Sequence, residues 1–195
     1  MMEDRRRDLR ERQARILPPH TRFTWEIGCG HGHFLAAYAQ AHPDEACIGV
    51  DLVSERIVRA LRKRDRANLG NLHFIHAEAR LFLETLSTGT AFSRLFVLFP
   101  DPWPKLRHHK HRIMQPDFLS AAAQRAGEGA RLYFRTDYEP YFESVHHILD
   151  QHPQWQLVDE PWCFEHQTVF QNRADRHRSL VAQCIAGGAP SSRNP

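Results

Sequence analysis

The feature that most constrains the fold is a regular alternation of short apolar segments with amphipathic ones. Apolar runs at 23–27, 46–51 and 72–75 each have the length of a strand, and each is followed by a segment with helical periodicity. Strands and helices that alternate in this way are typical of an α/β fold with a mostly parallel sheet and helices on both faces. Ligands of such folds bind outside the carboxyl ends of the strands. The residues that follow each strand are therefore the candidate site.

The same criteria extend the pattern to the end of the chain. They predict a strand at 95–98, a helix at 116–126, a turn at 127–129, a strand at 130–136 and two final strands at 155–158 and 178–185. The last two strands are close together, which suggests one antiparallel member. Ser54 and Asp137 are placed to cap the helices that follow them.

The length of 195 residues is enough for one substantial core. We predict a single domain at 23–186, preceded by a charged N-terminal arm at 1–22 and followed by a disordered tail at 187–195 that is rich in Gly, Pro and Ser. The arm alternates arginines with acids, which is typical of a solvated helix or a frayed end; a phosphate-binding arm is the alternative.

Composition excludes several classes of protein. Lys and Arg total 26 against 23 acids, so the net charge of +3 permits an anionic partner without requiring one. The four cysteines form no CxxC pair and follow no secretory leader, which favours reduced thiols in a cytoplasmic protein. No apolar run approaches the roughly 20 residues of a membrane helix, so no membrane association is expected.

A glycine loop follows the first predicted strand. The glycines are Gly28, Gly30 and Gly32, whereas the dinucleotide fingerprint would need a small residue at His33. Glu26 precedes the loop, and its carboxylate would repel a pyrophosphate but attract a ligand with an ammonium and a sulfonium group. S-adenosylmethionine carries both charges and is the predicted cofactor.

Two further acids follow the next strands. Asp51 ends the second strand about 20 residues after the loop, where a carboxylate accepts hydrogen bonds from ribose hydroxyls. Glu78 follows the third strand, where the adenine would lie. We therefore predict that Glu26 and Asp51, together with Glu78, hold the cofactor with the backbone of the glycine loop.

The segment FPDPWPKLRHHKHR, residues 99–112, follows the fourth strand, and we call it the platform. Its three prolines fix φ and predict a stiff loop, on which Asp101 is the candidate catalytic carboxylate and also borders the cofactor. Trp103 either stacks on a base or fills the core below the loop. Four cations without an acid follow it, and His108, His109 and His111 are more typical of phosphate-facing groups than of a metal site, so no metal is expected.

The string FPDPWPK followed by RHHK and R resembles the signature of the bacterial tRNA (guanine-N7)-methyltransferases. Glu26 with its GxGxG loop, Asp51 and Glu78 are likewise similar to class I methyltransferases in order and spacing. The resemblance implies a Rossmann-like, mostly parallel seven-stranded sheet and methyl transfer from S-adenosylmethionine to N7 of a guanine in the tRNA variable loop. It also implies that Asp101 is at the active site and that Lys105 and Asp137 contact the substrate.

The family's T-K-F-E motif has its best counterpart at Thr168, Val169, Phe170 and Gln171. Thr168 and Phe170 match, and with Gln171 they are the remaining predicted substrate contacts, whereas lysine is replaced by Val169 and glutamate by Gln171. An amide has one accepting oxygen where a carboxylate has two. The alternatives are therefore an enzyme of the same fold that acts on another base or RNA, or an inactive RNA-binding paralogue. A monomer and a homodimer are both compatible with the sequence.

Overall fold

The chain builds one seven-stranded sheet with helices on both faces. The structure is a computed structural model and describes residues 2–166 and 176–185. The strands are β1 (Arg22–Ile27), β2 (Ala46–Asp51), β3 (Leu72–His76), β4 (Ala91–Leu98), β5 (Ala126–Thr136), β6 (Trp155–Val158) and β7 (Arg178–Cys184). The helices are α1 (Met2–Ile16), α2 (His33–Ala41), α3 (Ser54–Arg66), α4 (Ala79–Thr85), α5 (Pro116–Ala123) and α6 (Glu139–Asp150), and a 3-10 helix spans Leu106–His111.

The strand order is β3-β2-β1-β4-β5-β7-β6, and β7 is antiparallel to both of its neighbours. The other pairs are parallel. The predicted mostly parallel sheet with one antiparallel member is therefore confirmed. The order reverses between β1 and β4, which pair through Glu26 with Phe96 and Ile27 with Val97. A crevice opens at the carboxyl ends of strands at such a reversal, and the glycine loop and the platform both begin there.

Successive side chains of the central strands point to opposite faces of the sheet and pack into two apolar cores, one on each face. Leu95 and Val97 of β4 point into the core covered by α1, α4, α5 and α6. Phe96 points to the opposite face, into the core shared with α2 and α3. Strands buried on both faces have near-continuous apolar sequences, and this explains why their positions could be read from the sequence.

The N-terminal segment forms a helix with one buried face. Leu9 and Gln13 of α1 are buried against α4, and the Gln13 side-chain amide donates a hydrogen bond of 2.9 Å to the carbonyl of Phe82. Arg6 pairs with Glu84 at 2.9 Å on the rim. With 15 residues α1 is the longest helix of the described chain, and none of the helices in that part of the chain has the length and apolar character needed to cross a bilayer.

Three local predictions were wrong. The glycines of 127–129 lie within β5, where the step from Phe92 to Arg94 faces the step from Ala126 to Arg131, so the extra residues form a bulge instead of a turn. Val53, and not Ser54, is the N-cap of α3. Tyr138, and not Asp137, is the N-cap of α6, without a side-chain cap in either case. The cap of α3 is replaced by Asp51, which accepts the backbone N–H of Val53.

Candidate functional site

The glycine loop, residues 28–32, is held against the end of β2 and is open on its outer side. The N–H groups of Gly28 and Cys29 both donate to the carbonyl of Val50, at 2.9 and 3.1 Å. Gly28 and Gly30 have φ values of 68° and 54°, a conformation that favours glycine. A Cβ built at either residue would meet no atom within 4 Å. The backbone of the loop is therefore accessible to a ligand in the crevice.

Gly32 has a different role at the start of α2. Its φ is 67°, and a Cβ there would lie 2.4 Å from Cζ of Phe74 and 3.0 Å from Cβ of Ala60. The third glycine is therefore required by packing, because it lets α2 begin directly against the ring of Phe74.

Glu26 is a buried carboxyl group at the end of β1. It is 4% exposed, and burial together with the negative charge of Asp51 raises its pKa from 4.5 to about 8. The backbone N–H of Leu35 donates to it and opposes part of this rise. Its Oε2 atom is buried and has no hydrogen-bond partner among the described residues. Because an unsatisfied buried carboxyl group is costly, this atom indicates a missing ligand with a donor or a positive charge.

Asp51 connects the glycine loop to the end of β2. Its Oδ2 accepts the N–H of Gly30 at 2.9 Å, and its Oδ1 accepts the N–H of Val53 at 2.8 Å. Arg56 approaches the same carboxylate at 3.8 Å. A carboxylate has about four acceptor positions, so both oxygens can still accept a hydroxyl group. Asp51 thus orders the loop and can also face a ribose.

Glu26 and Asp51 place two acids at the ends of neighbouring strands, close enough for the charge of Asp51 to add to the effect of burial on the pKa of Glu26. The same two acids, after burial, raise the pKa of the Cys29 thiol. A cationic ligand in the open space beside the glycine loop would relieve this repulsion. The residues present therefore fit a ligand that carries positive charge, as the expected S-adenosylmethionine does.

Glu78 lies at the edge of this arrangement. Glu78 is the N-cap residue of α4. Its side chain is exposed and makes no capping hydrogen bond. The end of β3 is joined to that of β2 by a 3.2 Å hydrogen bond from the N–H of Ala77 to the carbonyl of Asp51. The structure therefore brings Glu78 to the same edge of the sheet, without a contact to Glu26 or Asp51.

The platform contains two aromatic residues in an unusual backbone conformation. Phe99 and Trp103 have φ values of 48° and 42°, which is rare for bulky side chains. The N–H of Phe99 donates to the carbonyl of Arg135 at 2.7 Å and so fixes the start of the loop to the end of β5. Strained residues of this kind persist where the surrounding structure holds them and are common at functional sites.

Arg112 holds the platform from below, a role that sequence reasoning missed. It is 4% exposed, its Nε donates to the carbonyl of Pro102 at 2.8 Å, and its guanidinium lies 4.6 Å from the ring centre of Tyr141. The hydroxyl of Tyr141 in turn accepts the N–H of Met114 at 3.2 Å. The sequence placed Arg112 among the four cations that follow Trp103, with no sign that it is buried. The only sequence signal for burial is the apolar pair Ile113-Met114 that follows directly.

Asp101 and Trp103 lie on the outer side of the platform. Asp101 is exposed and close enough to Tyr141 for its charge to add to the effect of burial, which raises the pKa of that phenol to about 12. Trp103 is 37% exposed and forms a cluster of three rings with His108 and His111, at centroid distances of 5.7 and 5.2 Å. Trp103 is thus a surface aromatic and not a filler of the core.

The other predicted substrate contacts are only partly described. Lys105 is exposed at the start of the 3-10 helix, and Asp137 is exposed directly after the end of β5. Both lie at the carboxyl edge of the sheet, like Asp101. The segment with Thr168, Phe170 and Gln171 falls outside the described residues.

The outer face of α3 places positive charge beside the glycine loop. Burial lowers the pKa of His31, and the charges of Arg59, Arg56 and Lys63 lower it further. Burial and the charge of Lys63 also lower the pKa of His33. Within residues 2–166 and 176–185, no three His, Cys, Asp or Glu side chains come together as a metal site.

Comparison with known proteins gives the relatives of this chain. Residues 20–182 match the family described as "Putative methyltransferase". A tRNA (guanine-N(7)-)-methyltransferase of Nitrosomonas europaea is 37% identical over 124 residues, which cover 64% of this chain and 55% of that protein. The enzyme of the same name from Brevibacillus brevis is 31% identical over 171 residues, covering 82% and 79%. The chain spans about half the length of several such relatives, including 48% of the one from Streptomyces coelicolor.

Solved structures with the same fold are more distant in sequence. TrmN from Thermus thermophilus has a TM-score of 0.61 at 17% identity and is matched over 90% of this chain and 48% of its own. The antibiotic-resistance methyltransferase Kmr has a TM-score of 0.57 at 24% identity, over 90% and 93%. These similarities establish the class I methyltransferase fold.

Proposed function

The chain belongs to the bacterial tRNA (guanine-N7)-methyltransferase family, and from this premise we propose that it transfers a methyl group from S-adenosylmethionine to N7 of a guanine in the tRNA variable loop. The observation that carries the proposal is the crevice between β1 and β4. A buried pair of acids, Glu26 and Asp51, lies on one side of it, and the platform with Asp101 begins on the other. We further propose a cytoplasmic location, where both substrates occur.

The cofactor would be held by Glu26, Asp51 and the open backbone of Gly28 and Gly30. When bound, S-adenosylmethionine supplies a methyl group that its sulfonium has already made electrophilic. Glu26 would bind as a carboxylate opposite the ammonium group, since a nearby positive charge lowers the pKa that burial and Asp51 raise. Asp51 would accept ribose hydroxyls while it keeps the N–H groups of Gly30 and Val53.

Guanine N7 has a lone pair and no proton, so no general base is required. The protein has to align the base with the methyl group and stabilise the charge that develops on the base. A bound cofactor would transfer its methyl group to this lone pair with loss of the carbon–sulfur bond, so the positive charge of the sulfonium would pass to the purine. Asp101 would stabilise that charge and orient the base. The arrangement of Arg112 supports this role, because its Nε holds the carbonyl of Pro102, the residue between Asp101 and Trp103, without an ion pair to Asp101.

The tRNA backbone would meet the exposed cations of the platform, Lys105, Arg107 and Lys110. Phosphate contacts fix orientation, and Trp103 offers a half-exposed ring on which a base can stack. Asp137, at the end of β5, would face the same substrate.

The test is methyl transfer from labelled S-adenosylmethionine to unmodified tRNA transcripts, followed by chain cleavage specific for N7-methylguanosine. Cleavage in the variable loop is expected. Methyl incorporation without that cleavage would refute the N7 assignment, and no incorporation despite cofactor binding would refute the activity.

The second candidate is a same-fold protein with another RNA substrate or without activity, and it is favoured by Val169 and Gln171. Gln171→Glu together with Val169→Lys restores the family motif. A gain of N7 methylation in this double variant of an inactive chain would support a degenerate paralogue, whereas no gain would support a different substrate.

A further inference from the structure

Two arginines on β5 hold a segment that covers one face of that strand. Arg131 and Arg135 are four residues apart and therefore point to the same face. Arg131 binds Glu160 through two hydrogen bonds of 2.8 and 2.7 Å, and Arg135 binds Glu165 through two of 3.0 and 2.7 Å. The segment 159–166 thus follows the second half of β5, from Arg131 to its carboxyl end.

Aromatic packing between the two ion pairs attaches the segment to the sheet. Trp162 contacts Tyr133 of β5 at a ring distance of 5.3 Å, and Phe164 contacts Phe34 of α2 at 5.8 Å. Both belong to the core on that face. The last described residues before 167 are therefore fixed at the carboxyl edge of the sheet.

Arg135 binds more than the preceding segment. Its side chain is 6% exposed, and its Nε donates to the hydroxyl of Ser179 at 2.8 Å. Its guanidinium also lies 4.0 Å from the ring centre of Trp162. One buried side chain therefore joins a residue before 167–175, Glu165, to a residue after it, Ser179.

The same residue is fixed to the platform through its backbone. The carbonyl of Arg135 accepts the N–H of Phe99 at 2.7 Å, and the ring of His177 lies 6.0 Å from that of Phe99. The start of the platform and both flanks of 167–175 thus meet at the end of β5. The two arginines within the otherwise apolar run ARLYFRT are the sequence signal for such buried partners.

We propose that Arg135 is a positioning residue that fixes both flanks of 167–175 against the start of the platform. The proposal rests on the proposed function, because the resemblance assigns substrate contacts to Thr168, Phe170 and Gln171 within that segment. Arg135 touches neither reacting group. It determines where residues 165 and 179, which flank the segment with these contacts, lie relative to the start of the platform.

The chain offers a matched control for this role. Arg131→Gln removes an equivalent two-hydrogen-bond pair from the same face of the same strand, far from the carboxyl edge. For Arg135→Gln we expect kcat at saturating tRNA to fall at least tenfold while the Kd for S-adenosylmethionine stays within twofold. Arg131→Gln should leave both within twofold, and Arg135→Lys, which keeps the charge but not the forked geometry, should recover part of kcat. An equal loss in Arg131→Gln, or no loss in Arg135→Gln, would overturn the proposal.

Two further measurements keep the proposal testable if Arg135→Gln does not fold or the protein does not form N7-methylguanosine. Glu165→Gln and Ser179→Ala each remove one partner at the surface end of the contact and should each lower kcat at least threefold. Hydrogen–deuterium exchange of wild type and variants needs no activity. Arg135→Gln, or failing that Glu165→Gln, should raise exchange in peptides that cover 162–166 and 176–180, whereas Arg131→Gln should raise it only near residue 160. Unchanged exchange in the first two peptides would refute positioning by Arg135 whatever the substrate.

Discussion

The buried carboxyl group of Glu26 makes the stability of the cofactor-free protein depend on pH. Its pKa is about 8 in the folded chain and 4.5 as an ordinary glutamate. Between these values the unfolded chain loses a proton that the folded chain keeps. The contribution of Glu26 to the free energy of unfolding is therefore fully present below pH 4.5 and is lost as the pH rises through 8. A pKa difference of this size corresponds to about 5 kcal/mol at 1.36 kcal/mol per pKa unit. About 4 kcal/mol of it falls between pH 5 and pH 8.

Glu26→Gln is the matched variant, because its neutral side chain resembles the protonated acid and does not titrate. We would measure the free energy of unfolding of both proteins by urea denaturation from pH 5 to pH 9, without cofactor. All other titrating groups are shared, so the difference between the two curves isolates Glu26. It should fall by about 4 kcal/mol from pH 5 to pH 8 and then level off. A difference that stays constant within about 1 kcal/mol would refute the argument that burial holds Glu26 protonated.

The same protonation should appear in cofactor binding. If Glu26 faces an ammonium group, binding releases its proton, and the affinity for S-adenosylhomocysteine should rise with pH by up to about tenfold per unit below pH 8. Affinities of wild type and Glu26→Gln would be measured by calorimetry at each pH. Titration of the ligand affects both proteins equally, so the difference between their pH profiles is due to Glu26. Parallel curves for wild type and Glu26→Gln would separate Glu26 from the cofactor site while leaving the stability argument intact.

Three further predictions concern the loop and the platform. Asp101→Ala should lower kcat by about 10²-fold or more, as loss of one electrostatic contact in a transition state does, with cofactor Kd from calorimetry within threefold; normal turnover would remove Asp101 from its role. Gly32→Ala should destabilise the fold by about 3 kcal/mol or more, from backbone strain plus overpacking against Phe74, whereas Gly28→Ala should cost only about 1–2 kcal/mol of strain; equal urea midpoints would contradict the packing role. Arg112→Leu should lower the urea midpoint and reduce kcat, because the backbone carbonyl it binds loses its partner; unchanged kinetics would show that the platform is held without it.

The positions of the central strands could be predicted because each contains a short apolar run. β2 was predicted with its observed bounds, Ala46–Asp51. The prediction of a turn at 127–129 was wrong because turns and bulges both favour glycine, which adopts a positive φ without strain. Gly129 has a φ of 67° within the strand. Only the pairing with β4, more than 30 residues earlier, distinguishes the two.

The buried arginines were missed for a related reason. Arg112 and Arg135 are embedded in sequences that predict opposite environments, one in a run of cations and one in an apolar strand. Their partners, Tyr141 for the first and Glu165 for the second, are about 30 residues further along the chain. Local composition predicts the charge of a segment, but whether a given cation faces solvent depends on which distant group meets it.

The strand order also explains how one crevice can serve two partners of opposite charge. Acids occupy the ends of β1 and β2, where the proposed cofactor presents positive charge. The exposed cations of the platform lie beyond the end of β4, where the proposed RNA presents phosphates. Arg112, the one platform cation that turns inward, is covered by Tyr141 and engaged by the carbonyl of Pro102. Its guanidinium therefore holds the backbone next to Asp101 from the inner side. Contact with the RNA phosphates would be left to the exposed cations Lys105, Arg107 and Lys110.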